Sequence, residues 1–130
     1  MPYVALVGVS GYAALIFEIA LTLHREGVLC LVAAVVINPA QESAKCEQLR
    51  ALGCEIHATL ESLLRAHASR LDLVVIPTPI HLHRTMTCAA LAAGVNVLVE
   101  NPLAPGERDI DEIEESARAA GRLVGVGFQD

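Results

Sequence analysis

Val4-Ala5-Leu6-Val7-Gly8-Val9-Ser10-Gly11-Tyr12-Ala13 stands near the start of the chain. Its first four residues form an unbroken apolar run, the pattern of a strand covered on both faces. A glycine turn follows, then a helix start. Gly8, Ser10 and Ala13 occupy the three fixed positions of the dinucleotide fingerprint G-x-G-x-x-G/A, with Gly11 additional. Gly8 permits a tight turn, and Ala13 is small enough for close helix–strand packing. Ser10 departs from the fingerprint. Its side chain restricts the approach of a pyrophosphate, but its hydroxyl can donate to a phosphate oxygen. The expected helix start at Tyr12 to Leu15 adds amides and the positive end of a helix dipole. A glycine turn can also be purely structural. The position between a first strand and a first helix favours the dinucleotide reading.

Working outward, strand and helix patterns alternate. Strands are expected at Tyr3 to Val7, Leu31 to Ile37, Cys54 to His57, Leu71 to Ile76, Val95 to Val99 and Leu123 to Val126. Helices are expected at Tyr12 to Glu26, Ala40 to Leu52, Leu60 to Ser69, His81 to Ala93, and from after Pro105-Gly106 to near Gly121. Leu15, Ile16, Ile19 and Leu23 are expected as the apolar stripe of the first helix. Thr59 is placed to cap the third, and Glu107, Asp109 and Asp111 suit the N-terminus of the fifth. Helices of about 10–15 residues between strands imply right-handed crossovers. The expected fold class is α/β, a Rossmann-type doubly wound parallel sheet in the order 3-2-1-4-5-6, with residues 1–130 as one domain.

The composition agrees. The chain is 54% hydrophobic with 3% aromatics, so its core is aliphatic. Mean hydropathy is +0.51, yet no run reaches the roughly 20 apolar residues of a membrane span. The first Lys or Arg is Arg25, and Gly8, Gly11 and Glu18 break the early apolar stretch, against a signal peptide. A net charge of −6 without a basic stripe argues against nucleic acid. Cys30, Cys46, Cys54 and Cys88 show no CxxC spacing and read as free thiols of a cytoplasmic protein.

Three further segments fall at strand ends, where open α/β sheets bind ligands. Asn38 closes the second strand, where a carboxylate usually meets the adenosine ribose. Asn38 can bond a 2′-hydroxyl, but it neither repels nor clamps a 2′-phosphate, so discrimination between NAD and NADP should be poor. An Asn-Pro turn that merely ends the strand is the alternative. Thr78-Pro79-Ile80-His81-Leu82-His83 follows the fourth strand. His81 and His83 at a helix start diverge, so no metal site is expected there. Local packing or hydrogen bonding is the other reading of His83. Glu100-Asn101-Pro102 follows the fifth strand.

Together the glycine turn, the Thr-Pro-x-x-x-His segment and Glu100-Asn101-Pro102 resemble the nucleotide-binding half of the glucose-fructose oxidoreductase/inositol dehydrogenase (Gfo/Idh/MocA) family. The resemblance spans the chain in element order. It implies NAD or NADP as cofactor, with Gly8, Ser10, Gly11, Tyr12, Ala13, Asn38, Thr78, Pro79 and Glu100 as binding residues. The family carries Glu-Lys-Pro where this chain has Glu-Asn-Pro. Its lysine donates or orients a proton at the substrate oxygen, whereas Asn101 can only hydrogen-bond and position. Asn101 and His83 are thus the positions that match catalytic ones. Family members act on sugars, polyols or related small alcohols. They continue into a second domain that supplies most substrate contacts. The chain ends at Phe128-Gln129-Asp130, where that domain would begin, so an excised domain is expected. Alone it should self-associate as a homo-oligomer, bind small-molecule substrate only with a second domain, and lack turnover. A non-catalytic cofactor-binding or interaction module is the alternative.

Overall fold

A computed structural model describes residues 1–11, 13–100, 104 and 106–127. Tyr12 and Asn101, both expected in the site, lie outside the described residues, as do Pro102 and the last three residues. Six parallel strands form one sheet: β1 (Tyr3–Val7), β2 (Cys30–Val35), β3 (Glu55–His57), β4 (Leu73–Ile76), β5 (Asn96–Glu100) and β6 (Val124–Gly127). Their order is β3-β2-β1-β4-β5-β6, as the alternation implied. Five helices connect them: α1 (Ala13–Arg25), α2 (Ser43–Ala51), α3 (Leu60–His67), α4 (His83–Ala92) and α5 (Glu107–Ala120).

The chain winds outward from β1 to β3, then returns to β4 on the other side of β1. Each direction keeps right-handed crossovers only by covering an opposite face of the sheet. Two aliphatic cores follow. Val4, Leu6, Leu31 and Ala34 pack with Phe17, Leu21, Cys46 and Leu49 of α1 and α2. Ala5, Val7, Val74, Ile76, Val97 and Val99 pack with α3, α4 and α5 through Leu63, Leu91 and Ile113. Because alternate strand residues enter opposite cores, β1 is apolar at every position after Tyr3.

Several boundaries shift for local reasons. The second helix begins at Ser43, not Ala40, because Gln41 and Glu42 both donate their amides to the Asn38 carbonyl in a turn. β4 begins at Leu73, since the Leu71 amide closes a 3-10 turn on Ala68 and Asp72 is tied to Tyr3 by two hydrogen bonds. The fourth helix opens as a 3-10 turn at Ile80–Leu82 after Pro79. In α1 the expected stripe holds only in part, with Ile16 against the core. Ala13, Phe17, Ala20 and Leu21 face the sheet, while Leu15 and Ile19 are exposed. The helix is apolar nearly all round, so periodicity alone did not separate its two faces. Thr59 caps α3 as expected, accepting from the Ser62 amide at 3.1 Å. Among the described residues no helix is long and apolar enough to cross a membrane.

Candidate functional site: a crevice at the strand-order reversal

The carboxyl ends of β1 and β4 diverge because the chain leaves them toward opposite faces. A cavity of about 310 Å³ opens there. One wall is the turn after β1, with Gly8, Val9, Ser10 and Ala13; Ile37 and Asn38 flank it from the end of β2. The other wall is Pro77, Thr78 and Pro79, backed by Leu82 and Met86. Of the residues expected to bind a dinucleotide, Gly8, Ser10, Ala13, Asn38, Thr78 and Pro79 line this one crevice.

The turn is shaped by backbone. Gly8 has φ 98° and Gly11 φ 61°, a region side-chain-bearing residues rarely adopt. The Gly8 amide donates to Val35 at 2.9 Å, which joins the turn to β2. The Ala13 and Ala14 amides turn back onto the Ser10 and Gly11 carbonyls, each at 3.0 Å, and start α1. A Cβ on Gly8 would lie 3.7 Å from that of Ala13, an ordinary contact. Backbone conformation, rather than space, therefore demands glycine there. A glycine turn leading into a helix N-terminus at a cavity fits a pyrophosphate, so this arrangement can hold a dinucleotide.

Two residues missed in the sequence stand beside the glycine turn. Glu42 accepts a hydrogen bond from the Ser10 hydroxyl at 3.0 Å. Lys45 donates to the Val9 carbonyl at 2.7 Å, lies 3.4 Å from Glu42 and sits over the Phe17 ring. The Lys45–Glu42 spacing of i, i+3 was visible, but their reach to the β1 turn is a tertiary contact. Asn38 bonds Gln41 at 3.1 Å. A carboxylate thus stands near the position where Asn38 alone suggested none.

On the opposite wall, His83 is 2% exposed and its Nε2 donates to the Thr78 carbonyl at 2.6 Å, while the Thr78 hydroxyl donates to the Met86 sulfur at 3.7 Å. These contacts fix the Pro77-Thr78-Pro79 wall. His81 is exposed and lines the crevice. Glu100 is not in the main cavity. It lines a neighbouring pocket of about 60 Å³ with Pro77, Leu98 and Gly127.

A family model described as "Oxidoreductase family, NAD-binding Rossmann fold" matches residues 3–128. The chain belongs to this Gfo/Idh/MocA family as its NAD-binding Rossmann domain. It is 33% identical to inositol 2-dehydrogenase 4 of Saccharopolyspora erythraea over 123 residues, which are 94% of this chain and 36% of that protein. It resembles the WlbA dehydrogenase of Chromobacterium violaceum, solved with NADH and UDP-GlcNAcA, with TM-score 0.81 and 28% identity over 97% of this chain and 34% of that one. Biliverdin reductase of Synechocystis, solved with biliverdin and NADP⁺, gives TM-score 0.76 and 27% identity over 95% of this chain and 37% of that one. The chain thus spans about a third of the length of these proteins.

Proposed function

We propose that this chain is the nicotinamide-dinucleotide half of an oxidoreductase acting on a sugar, polyol or related small alcohol. The observation that carries this reading is the crevice at the strand-order reversal, with Gly8, Ser10 and Ala13 on one wall and Thr78 and Pro79 on the other. When bound, the cofactor supplies hydride transfer. The chain's own part is to hold it. The turn amides and the start of α1 take the pyrophosphate, Asn38 and Glu42 the adenosine ribose, and Thr78 with Pro79 the nicotinamide end. Glu100, the last residue of β5, is assigned to the nicotinamide-side ribose. Asn101 cannot titrate, so no proton transfer is assigned to it. Substrate contacts and turnover are assigned to a second domain. The inositol dehydrogenase relative supports a polyol or sugar substrate. The four free thiols suit a reducing, cytoplasmic setting.

Calorimetric titration of wild type and Gly8→Val with NAD⁺ and NADP⁺ in parallel tests the reading. Valine at φ 98° strains the turn, and a strain of roughly 1–2 kcal/mol corresponds to about 5- to 30-fold in affinity. Wild type should bind at least one of the two, and Gly8→Val at least about fivefold more weakly. Equal isotherms, or no heat with either dinucleotide at millimolar concentration, would overturn it.

A further inference from the structure

We propose that Glu55, His57 and His67 form a binding site for a divalent transition metal of the zinc class. None of the three lines the dinucleotide crevice. Glu55 and His57 are two apart on edge strand β3 and share a face. The following helix α3 runs back along the strand, and its last residue, His67, returns to the same spot. One ligand atom from each residue lies within 4.8 Å of the other two. Glu55 Oε1 is 2.7 Å from His57 Nε2 and 3.4 Å from His67 Nε2. The two rings meet edge to face, with centroids 5.3 Å apart.

The two histidines supply the independent observation. Their side chains are 9% and 6% exposed, and both Nε2 atoms are buried without a hydrogen-bond partner among the described residues. Close approach of two imidazole nitrogens and a carboxylate oxygen, without hydrogen-bond geometry, is what a shared cation resolves. Two imidazoles and one carboxylate are ligands that zinc accepts, with a fourth tetrahedral position left for water. The outer nitrogen of His57 is already held, with Nδ1 2.7 Å from the Ser62 hydroxyl. Such an outer partner orients a metal-bound ring. The His67 ring carries a counter-signal. Arg70 Nη2 is 3.0 Å from His67 Nδ1, and a guanidinium only donates. That contact leaves the ring proton on Nε2. Metal binding must displace this proton and release Arg70, which is exposed and can swing out. Arg70 is therefore a competitor of the metal, and its removal should help binding.

The test is titration of the chain with Zn²⁺ by calorimetry and with Co²⁺ by visible absorption, in a non-coordinating buffer. Wild type should take up one ion per chain, with the intense Co²⁺ bands of tetrahedral coordination. Glu55 is exposed, so Glu55→Gln should fold normally and weaken Zn²⁺ by on the order of 10–100-fold, at least the effect of losing an outer-shell partner. His57→Asn should do the same, with circular dichroism confirming its fold. Arg70→Ala should bind more tightly than wild type. Zn²⁺ affinity unchanged by both Glu55→Gln and His57→Asn would mean that other groups hold the ion. That result, or no Zn²⁺ uptake by wild type at millimolar concentration, would overturn the proposal.

Discussion

The Ser10 hydroxyl donates to Glu42 Oε1 at 3.0 Å, which holds a carboxylate against the glycine turn. The backbone ties Glu42 to Asn38 as well, because its amide donates to the Asn38 carbonyl at 3.1 Å. Its side chain is 19% exposed and 3.4 Å from Lys45, which offsets part of its charge. A 2′-phosphate brought to Asn38 would still face the carboxylate. Wild type should therefore favour NAD over NADP, against the near-equal affinity that Asn38 by itself implies. Glu42→Gln keeps the polar contact and removes the charge. NADP affinity should rise about tenfold, roughly 1.4 kcal/mol, with little change for NAD. Parallel titrations of both cofactors decide it. An unaltered NADP affinity would place the adenosine ribose away from Glu42.

His83 supports the opposite wall. Its bond to the Thr78 carbonyl is short, at 2.6 Å, and the ring is buried. His83→Ala removes the donor and opens space beneath the turn. Losing this partly buried hydrogen bond costs about 0.5–1.5 kcal/mol. Urea denaturation should report at least that loss, and NAD affinity should drop as Thr78 and Pro79 shift. Lost stability with unchanged NAD affinity would mean that this wall does not touch the cofactor.

The fold was legible because most strands are short aliphatic runs and every helix but α3 ends near a glycine, so the βα alternation could be counted. The glycine turn and the Thr78-Pro79 segment were legible for a different reason: they follow strands whose carboxyl ends the sheet topology brings together. Glu42, Lys45 and the Glu55-His57-His67 cluster were not legible. Each depends on a side chain crossing from one element to another, and no local periodicity encodes that reach. The exposed Leu15 and Ile19 of α1 show the converse. A stripe with the right spacing was present in the sequence, but Phe17 and Leu21 won the sheet face.

Thr87 lies within α4, fully buried, and its Oγ1 has no hydrogen-bond partner among the described residues. Burying a hydroxyl without compensation costs about 1–3 kcal/mol on mutational scales. Valine has nearly the same shape and no hydroxyl. Thr87→Val should leave the fold intact and raise the unfolding free energy by about 1 kcal/mol. Chemical denaturation at neutral pH measures it. A clear loss of stability would show that the hydroxyl has a partner in solution, such as a buried water.

Cys54 sets an alkaline limit on stability. Burial pushes its thiol up from 9.0 to about 12, and repulsion of the thiolate by Cys30 and Glu55 adds to the rise. In the unfolded chain the thiol ionises in its ordinary range. Between about pH 9 and about pH 12 the folded state therefore binds more protons than the unfolded state, and stability must fall as pH rises. Well below its ordinary value of 9.0 the thiol is protonated in both states and contributes no slope. Other groups titrate in the same window, so the informative quantity is the difference between wild type and Cys54→Ala. The alanine variant starts from a lower stability because it leaves a small cavity. Its urea midpoint should nonetheless decline less steeply from about pH 8 to about pH 10 than that of wild type. Iodoacetamide gives an independent check. Only the thiolate reacts, so Cys54 should stay unlabelled at about pH 8 in the folded chain and react once the chain is unfolded. Parallel pH slopes, or labelling of folded Cys54 as fast as a free thiol, would show that this thiol is not held protonated by the core.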